Sequence, residues 1–147
     1  MAAPTTGLVA ATIFADSIDI DWDGDTWKCA LYDSDWEPTL TSALGYSSTD
    51  EIVATGYTAG GATLTGVTIT RNASRFRMVA NDVSWSSSTF SDVAYAAVYS
   101  ATATAPVADP IVAIFVLPSI GENGGGDFTV AFPDSPAAGT VIDIPAV

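Results

Sequence analysis

The sequence predicts an all-β fold, a β-sandwich or jelly-roll-like single domain of about eight strands. Three observations predict it. Apolar and polar residues alternate at period two in several short segments, the mark of a strand with one wet face. Two other segments, Val93 to Tyr99 and Ile111 to Leu117, are almost continuously apolar, as strands covered on both faces are. Gly, Pro, Asn and Asp fall at the joins between these segments, where turns need them.

Taken in order, residues 1–17 read as an N-terminal arm or short helix, and residues 18–147 as the sandwich domain. Ile18, Ile20 and Trp22 alternate with Asp19, Asp21 and Asp23, which predicts a strand. Gly24-Asp25 predicts a turn, with Trp27, Cys29 and Leu31 on the returning strand. Residues 33–50, with Pro38, Gly45 and many hydroxyls, predict a long loop with one helical turn at most. Ile52 to Ala54 is a short strand, and Gly60-Gly61 a turn. In Thr63 to Thr70 the apolar parity changes between Leu64 and Val67, so a β-bulge is expected at Gly66. The same change between Met78 and Val83 predicts a bulge or bend at Asn81-Asp82. Phe128 to Phe132 and Thr140 to Ile144 are the last strands, after the Gly124 to Gly126 loop.

Composition narrows the function. The chain of 147 residues has no His, one Cys, one Lys and three Arg against 17 carboxylates. Ser–His, Cys–His and His-ligated metal catalysis are excluded, and a non-enzymatic role is expected. A net charge of −13 repels phosphate and anionic lipid, so neither nucleic acid nor membrane is an expected partner. No apolar run is long enough for a spanning helix, and no basic region precedes one near Met1, so synthesis in a cytoplasm is expected. Charged residues make up 14% of the chain, below the usual share of about 25%. Hydroxyls, Gly or a partner protein must therefore cover the surface.

Few residues stand out as site candidates. Asp19, Asp21 and Asp23 occupy the first, third and fifth places of a calcium-loop-like run, with Gly24 sixth. The twelfth place is Ala30 instead of Glu, which rules out an EF-hand, so strand alternation is the preferred reading and calcium the alternative. Arg71, Arg75 and Arg77 lie within seven positions and form either a protein interface or internal partners for Asp residues. Trp22, Trp27 and Trp85 fall on apolar parities and are expected in the core. Trp36, beside Pro38, is the candidate for an exposed contact residue. Lone Cys29 is expected to be a buried small hydrophobe. No cofactor is expected.

Three segments together resemble a group of small structural proteins of tailed bacteriophages. They are Asp50-Glu51-Ile52-Val53-Ala54-Thr55-Gly56-Tyr57-Thr58-Ala59-Gly60-Gly61-Ala62-Thr63-Leu64; Ala80-Asn81-Asp82-Val83-Ser84-Trp85 followed by Thr89-Phe90 and Ala94 to Tyr99; and Gly125-Gly126-Asp127-Phe128-Thr129-Val130, with Trp27 to Tyr32 also fitting as a hydrophobic strand after an Asp-rich turn. The Glu51, Gly56-Tyr57, Gly60-Gly61, Leu64 pattern is the most specific part, and the resemblance covers roughly residues 19–144. It implies a virion component, a capsid decoration or cement protein, bound to the major capsid protein and to copies of itself as a trimer. It supplies no catalytic residues. Charge adds that the outside of the head is the expected location, because an inner face would meet packaged DNA. The alternatives are a tail, baseplate or head-fibre component and, in another class, a carbohydrate-binding module, calcium-dependent if the Asp run binds metal.

Overall fold

The computed structural model describes residues 5–6, 20–121, 124–135 and 137–145, with residues 5–6 and 119–121 described by their backbone alone. Ten strands and no helix are found among them: β1 (Thr5–Thr6), β2 (Trp27–Tyr32), β3 (Ala62–Thr63), β4 (Thr68–Asn72), β5 (Arg75–Val79), β6 (Val83–Trp85), β7 (Val93–Ser100), β8 (Ile111–Gly121), β9 (Phe128–Val130) and β10 (Thr140–Pro145). A five-stranded sheet runs in the order β1-β8-β7-β2-β3, a three-stranded one in the order β10-β5-β4, and β6 pairs with β9. All pairings are antiparallel. The fold is all-β and sandwich-like, as expected. Of the N-terminal arm, Thr5 and Thr6 pair with Val116 and Phe115 of the same chain. The remainder of residues 1–17, and the expected strand start at Ile18 and Asp19, lie outside the described residues.

The main core lies between the five-stranded sheet and the two smaller ones. Trp27, Cys29 and Leu31 of β2 send alternate side chains into it, together with Val98, Phe115, Met78, Trp85, Val130 and Val141 from the other strands. The opposite face of β2, β7 and β8 is also dry. Ala30, Tyr32, Ala97, Tyr99, Ile111 and Ile114 form a second core with Trp36, under Leu44 and Tyr46 of the 33–50 loop. Double cover explains why β7 and β8 carry apolar residues at successive positions. The loop is docked along the start of β8. The Ile111 amide donates to the Leu44 carbonyl at 2.8 Å, the Tyr46 amide to the Asp109 carbonyl at 2.9 Å, and Gly45 bridges Pro110. A Cβ at Gly45 would fall on the Ala108 carbonyl oxygen, so glycine is required for this approach.

Several local expectations are corrected. Residues 20–25 form a turn, not the end of a strand, because Asp21 caps it. Ile52 to Ala54 is not a strand; Glu51 makes a single bridge to Tyr32. Gly66, at φ +63°, is not a bulge within one strand but the point where the chain leaves the five-stranded sheet for the three-stranded one. The parity changes there because Leu64 reaches the core from one sheet while Ile69 reaches it from the other. Asn81-Asp82 marks a second crossing, the expected bend, from β5 of the three-stranded sheet to β6, which pairs with β9. The two crossings are tied to each other: the Asn81 amide donates to the Thr65 carbonyl at 2.9 Å, and Asn81 Nδ2 to Thr65 Oγ1 at 3.2 Å. The β4–β5 hairpin thus has its entry and its exit at one neck, while β10 pairs with β5 along its length.

Candidate functional site

The most concentrated polar arrangement is built around Glu51, which is 6% exposed. Its position follows from the bridge to Tyr32, which sets residue 51 beside the end of β2. The carboxylate accepts three hydrogen bonds. Tyr46 Oη donates to Oε2 at 2.6 Å, and Tyr57 Oη and the Gly60 amide donate to Oε1, each at 2.7 Å. Tyr57 Oη also accepts the Leu31 amide at 2.9 Å, and Tyr99 Oη donates to the Gly60 carbonyl at 2.7 Å. Tyr46 stacks on Tyr99 with ring centroids 4.8 Å apart. Tyr46, Tyr57 and Gly60 therefore meet on one carboxylate, and through Tyr57 and Gly60 it is tied to β2 and β7. Gly60 and Gly61 adopt φ of +91° and +72°, which turns the Gly60 amide onto Glu51 at no steric cost.

Electrostatics match this geometry. Burial, and then the hydrogen bond to Glu51, push the Tyr46 and Tyr57 phenols well above the ordinary tyrosine range. Burial and the Glu51 charge push Tyr99 up to about 12. Each phenol keeps its proton as a donor at neutral pH, as an anionic acceptor requires. The chemistry the hub performs is to hold chain segments together. Sequence reasoning did not single out Glu51 as a site. Glu51, Tyr57 and Gly60 do lie within the Glu51 to Gly61 segment quoted above, which was read for its resemblance and not as a site.

Of the Asp run, the described carboxylates are engaged by donors of the chain itself. Asp19 lies outside the described residues. Asp21 Oδ1 accepts the amides of Asp23 at 3.2 Å and Gly24 at 3.1 Å, an Asx turn. Asp23 pairs with Arg71 at 2.6 Å. Asp25 accepts the hydroxyls of Ser100 and Thr102, each at 2.9 Å. These oxygens turn toward separate protein donors, and no metal-competent cluster of three is found among the described residues.

The arginines follow the internal-partner alternative. Besides Arg71 with Asp23, Arg77 Nε donates to Asp143 Oδ1 at 2.9 Å, and Arg75 Nη1 to the same oxygen at 3.1 Å. The register supports this, because Asp143 of β10 stands opposite Arg77 of β5. The Arg77 hydrogen bond is the main reason that the Asp143 carboxyl lies below the usual carboxylate range.

Trp36 is a correction. It is 8% exposed, not an exposed contact residue. Its ring stacks on Tyr32 at 4.0 Å and meets Tyr95 edge-on at 5.5 Å. A doubly covered sheet needs a large apolar side chain from the loop, and Trp36 supplies it. Trp27 and Trp85 are buried as expected, and Trp22 is partly buried, stacked on Trp27. Cys29 is fully buried, which pushes its thiol up to about 12.

The described surface carries exposed carboxylates, Asp35, Glu37, Asp82 and Asp134 among them, together with many hydroxyls and a few apolar side chains. Val53 is 98% exposed, and Leu40, Val116 and Ile144 are exposed too. Val53 borders an open groove of about 540 Å³ with Asp33, Thr55, Thr89 and Asp92. A second groove, of about 280 Å³, opens beside Trp22, Asp25, Leu64 and Ile69. Comparison of this chain with family models, curated proteins and solved structures finds no match.

Proposed function

We propose that this chain is a non-enzymatic virion structural protein, a capsid decoration protein that binds the outside of a phage head and stabilises the shell. One observation carries the reading: the charged groups at the candidate sites are spent on the chain's own fold. Glu51, Asp143 and Asp23 are each held by internal donors. Val53 and the other exposed apolar side chains are left to meet a partner. A cement protein needs a rigid body and weak contacts repeated many times, since lattice repetition multiplies small affinities. By binding only closed shells it raises the free energy of opening them. The resemblance stated above supports the same reading, and Glu51, Tyr57 and Gly60 within it assemble the hub.

The test is quantitative mass spectrometry of purified particles. A simple whole-number or one-third ratio to the major capsid protein is the expected result. A few copies per particle would assign the chain to a tail, baseplate or head fibre, and absence from particles would overturn the virion reading.

A further inference from the structure

We propose that the free edge of β4 is a self-association surface, where a second copy of this chain adds its own β4 in antiparallel register. This inference is independent of the virion reading.

Two observations converge on β4. The first concerns edges. An unpaired strand edge is a template for another chain unless it is short, bent, charged or interrupted by proline. Most edges here are blunted. β3 is two residues long, and β6 and β9 are three each. β10 has a register shift between Thr140 and Ile142 and ends at Pro145. By contrast, β4 runs five residues without Gly, Pro or a register shift, and four of the five are exposed. No described strand pairs with its outer side.

The second observation concerns charge. Two copies carrying −13 each repel one another over most of their surfaces. Residues 66–80 contain all three arginines and no carboxylate. The other edges longer than two residues contain or adjoin acid, at Asp143 for β10, Asp82 for β6, Asp127 for β9 and Asp109 for the part of β8 that β1 leaves unpaired. β4 is therefore the edge at which two copies approach with arginine on the strand itself, the carboxylate beside it, Asp23, being paired with Arg71.

Pairing about Thr70 also satisfies the arginines. With Thr70 on the two-fold axis, Arg71 of one copy stands across from Ile69 of the other. The two Arg71 guanidiniums are then diagonal, not opposed, and each keeps Asp23, which holds it at 2.6 Å. The outward face of the joint would be Thr68, Thr70 and Asn72, all exposed. The result is a continuous six-stranded sheet, β10-β5-β4 followed by its symmetry mate. An isologous contact of this kind closes at two. A dimer thus takes the place of the trimer as the unit in solution.

The experiment is sedimentation equilibrium of the full chain from micromolar to millimolar concentration, at low and at physiological ionic strength, on wild type and on Thr70→Lys. Thr70 is exposed but stands across from Arg77 of β5, so the monomer's melting temperature is measured in parallel while the substitution places two extra cations at the joint. The expected result is a monomer–dimer equilibrium that tightens with salt, as screening relieves the net repulsion. Thr70→Lys should weaken the dimer about tenfold. Amide exchange in β4 should also slow at the higher protein concentration in wild type alone. A monomer at every concentration, a trimer, or a dimer that ignores Thr70→Lys would each overturn the proposal. A dimer lost in Val53→Ser but kept in Thr70→Lys would place the contact at Val53 instead.

Discussion

Replacing Glu51 separates the two ways a buried carboxylate can hold a fold. Glu51→Ala removes the acceptor for Tyr46 Oη, Tyr57 Oη and the Gly60 amide. Hydrogen bonds to a charged group contribute roughly 1.5–3 kcal/mol each, and each buried donor left unmet costs about 1–3 kcal/mol. Tyr46 is partly exposed and can turn its hydroxyl to water, so most of the loss falls on Tyr57 and Gly60. Relief of the carboxylate's own desolvation offsets several kcal/mol of the gross loss. A net destabilisation of about 3 kcal/mol is expected. Glu51→Gln keeps the shape and one carbonyl for Tyr57 and Gly60, while Tyr46 must reverse its hydroxyl to accept the new NH₂. Its expected cost is about 1–2 kcal/mol. Urea unfolding followed by tryptophan fluorescence measures both, and Tyr46→Phe closes a double-mutant cycle with an expected coupling of about 1 kcal/mol. Glu51→Ala within about 0.5 kcal/mol of wild type would refute the hub, since ordinary surface substitutions stay in that range. Equal losses for Gln and Ala would refute the hydrogen-bond account and leave charge alone.

Four further outcomes are expected. Asp143 has a folded-state pKa below its unfolded one, so its stabilisation is present above the unfolded value of about 3.9 and fades as pH falls below it; Asp143→Asn should flatten this part of an acid-unfolding curve, and an unchanged curve would sink the assignment. Tyr99 and Cys29 are both raised to about 12, so stability should fall with alkali as their unfolded forms ionise, and native Cys29 should resist thiol reagents at neutral pH until the chain unfolds. Trp36→Ala should cost about 3–5 kcal/mol, read by thermal or urea unfolding, because it empties the middle of the second core; a loss under about 1 kcal/mol would mean that the loop is not the cover. Gly61→Ala should cost about 2–4 kcal/mol by the same assay, because a Cβ there falls on the Cys29 carbonyl at a φ of +72°; a neutral result would contradict the close approach of this turn to β2.

The strands were legible where their burial is simple. Trp27, Cys29 and Leu31 alternate because one face of β2 meets the main core, and β7 and β8 are continuously apolar because both faces are covered. Legibility failed where two different geometries write the same pattern. A parity change at Gly66 reads equally as a bulge or as a crossing between sheets, and only tertiary placement distinguishes them. The alternating Asp residues near Trp22 read as strand, yet Asp21 spends its carboxylate on the amides of Asp23 and Gly24 and closes a turn. Trp36 looked exposed because its neighbours are loop-forming, but the second core under that loop depends on Tyr32 and Tyr95, residues distant in part from it. The Glu51 hub was hidden because its donors lie on either side in sequence and one is a backbone amide, which no residue type announces.

The neck at Thr65 and Asn81 divides the chain into regions with different freedom to vary. Asn81 closes the neck with backbone and side chain together, and Asp82 next to it holds the Phe132 amide at 3.0 Å, so change at either position would disturb both crossings. At the far end of the hairpin, Ala73 and Ser74 are exposed, and Asn72 alone caps the turn through the amides of Ser74 and Arg75. Insertions at Ala73-Ser74 would lengthen the hairpin without reaching either core. The tip is the place where a descendant of this chain, or an engineer, could graft a peptide epitope for display while the body folds as before.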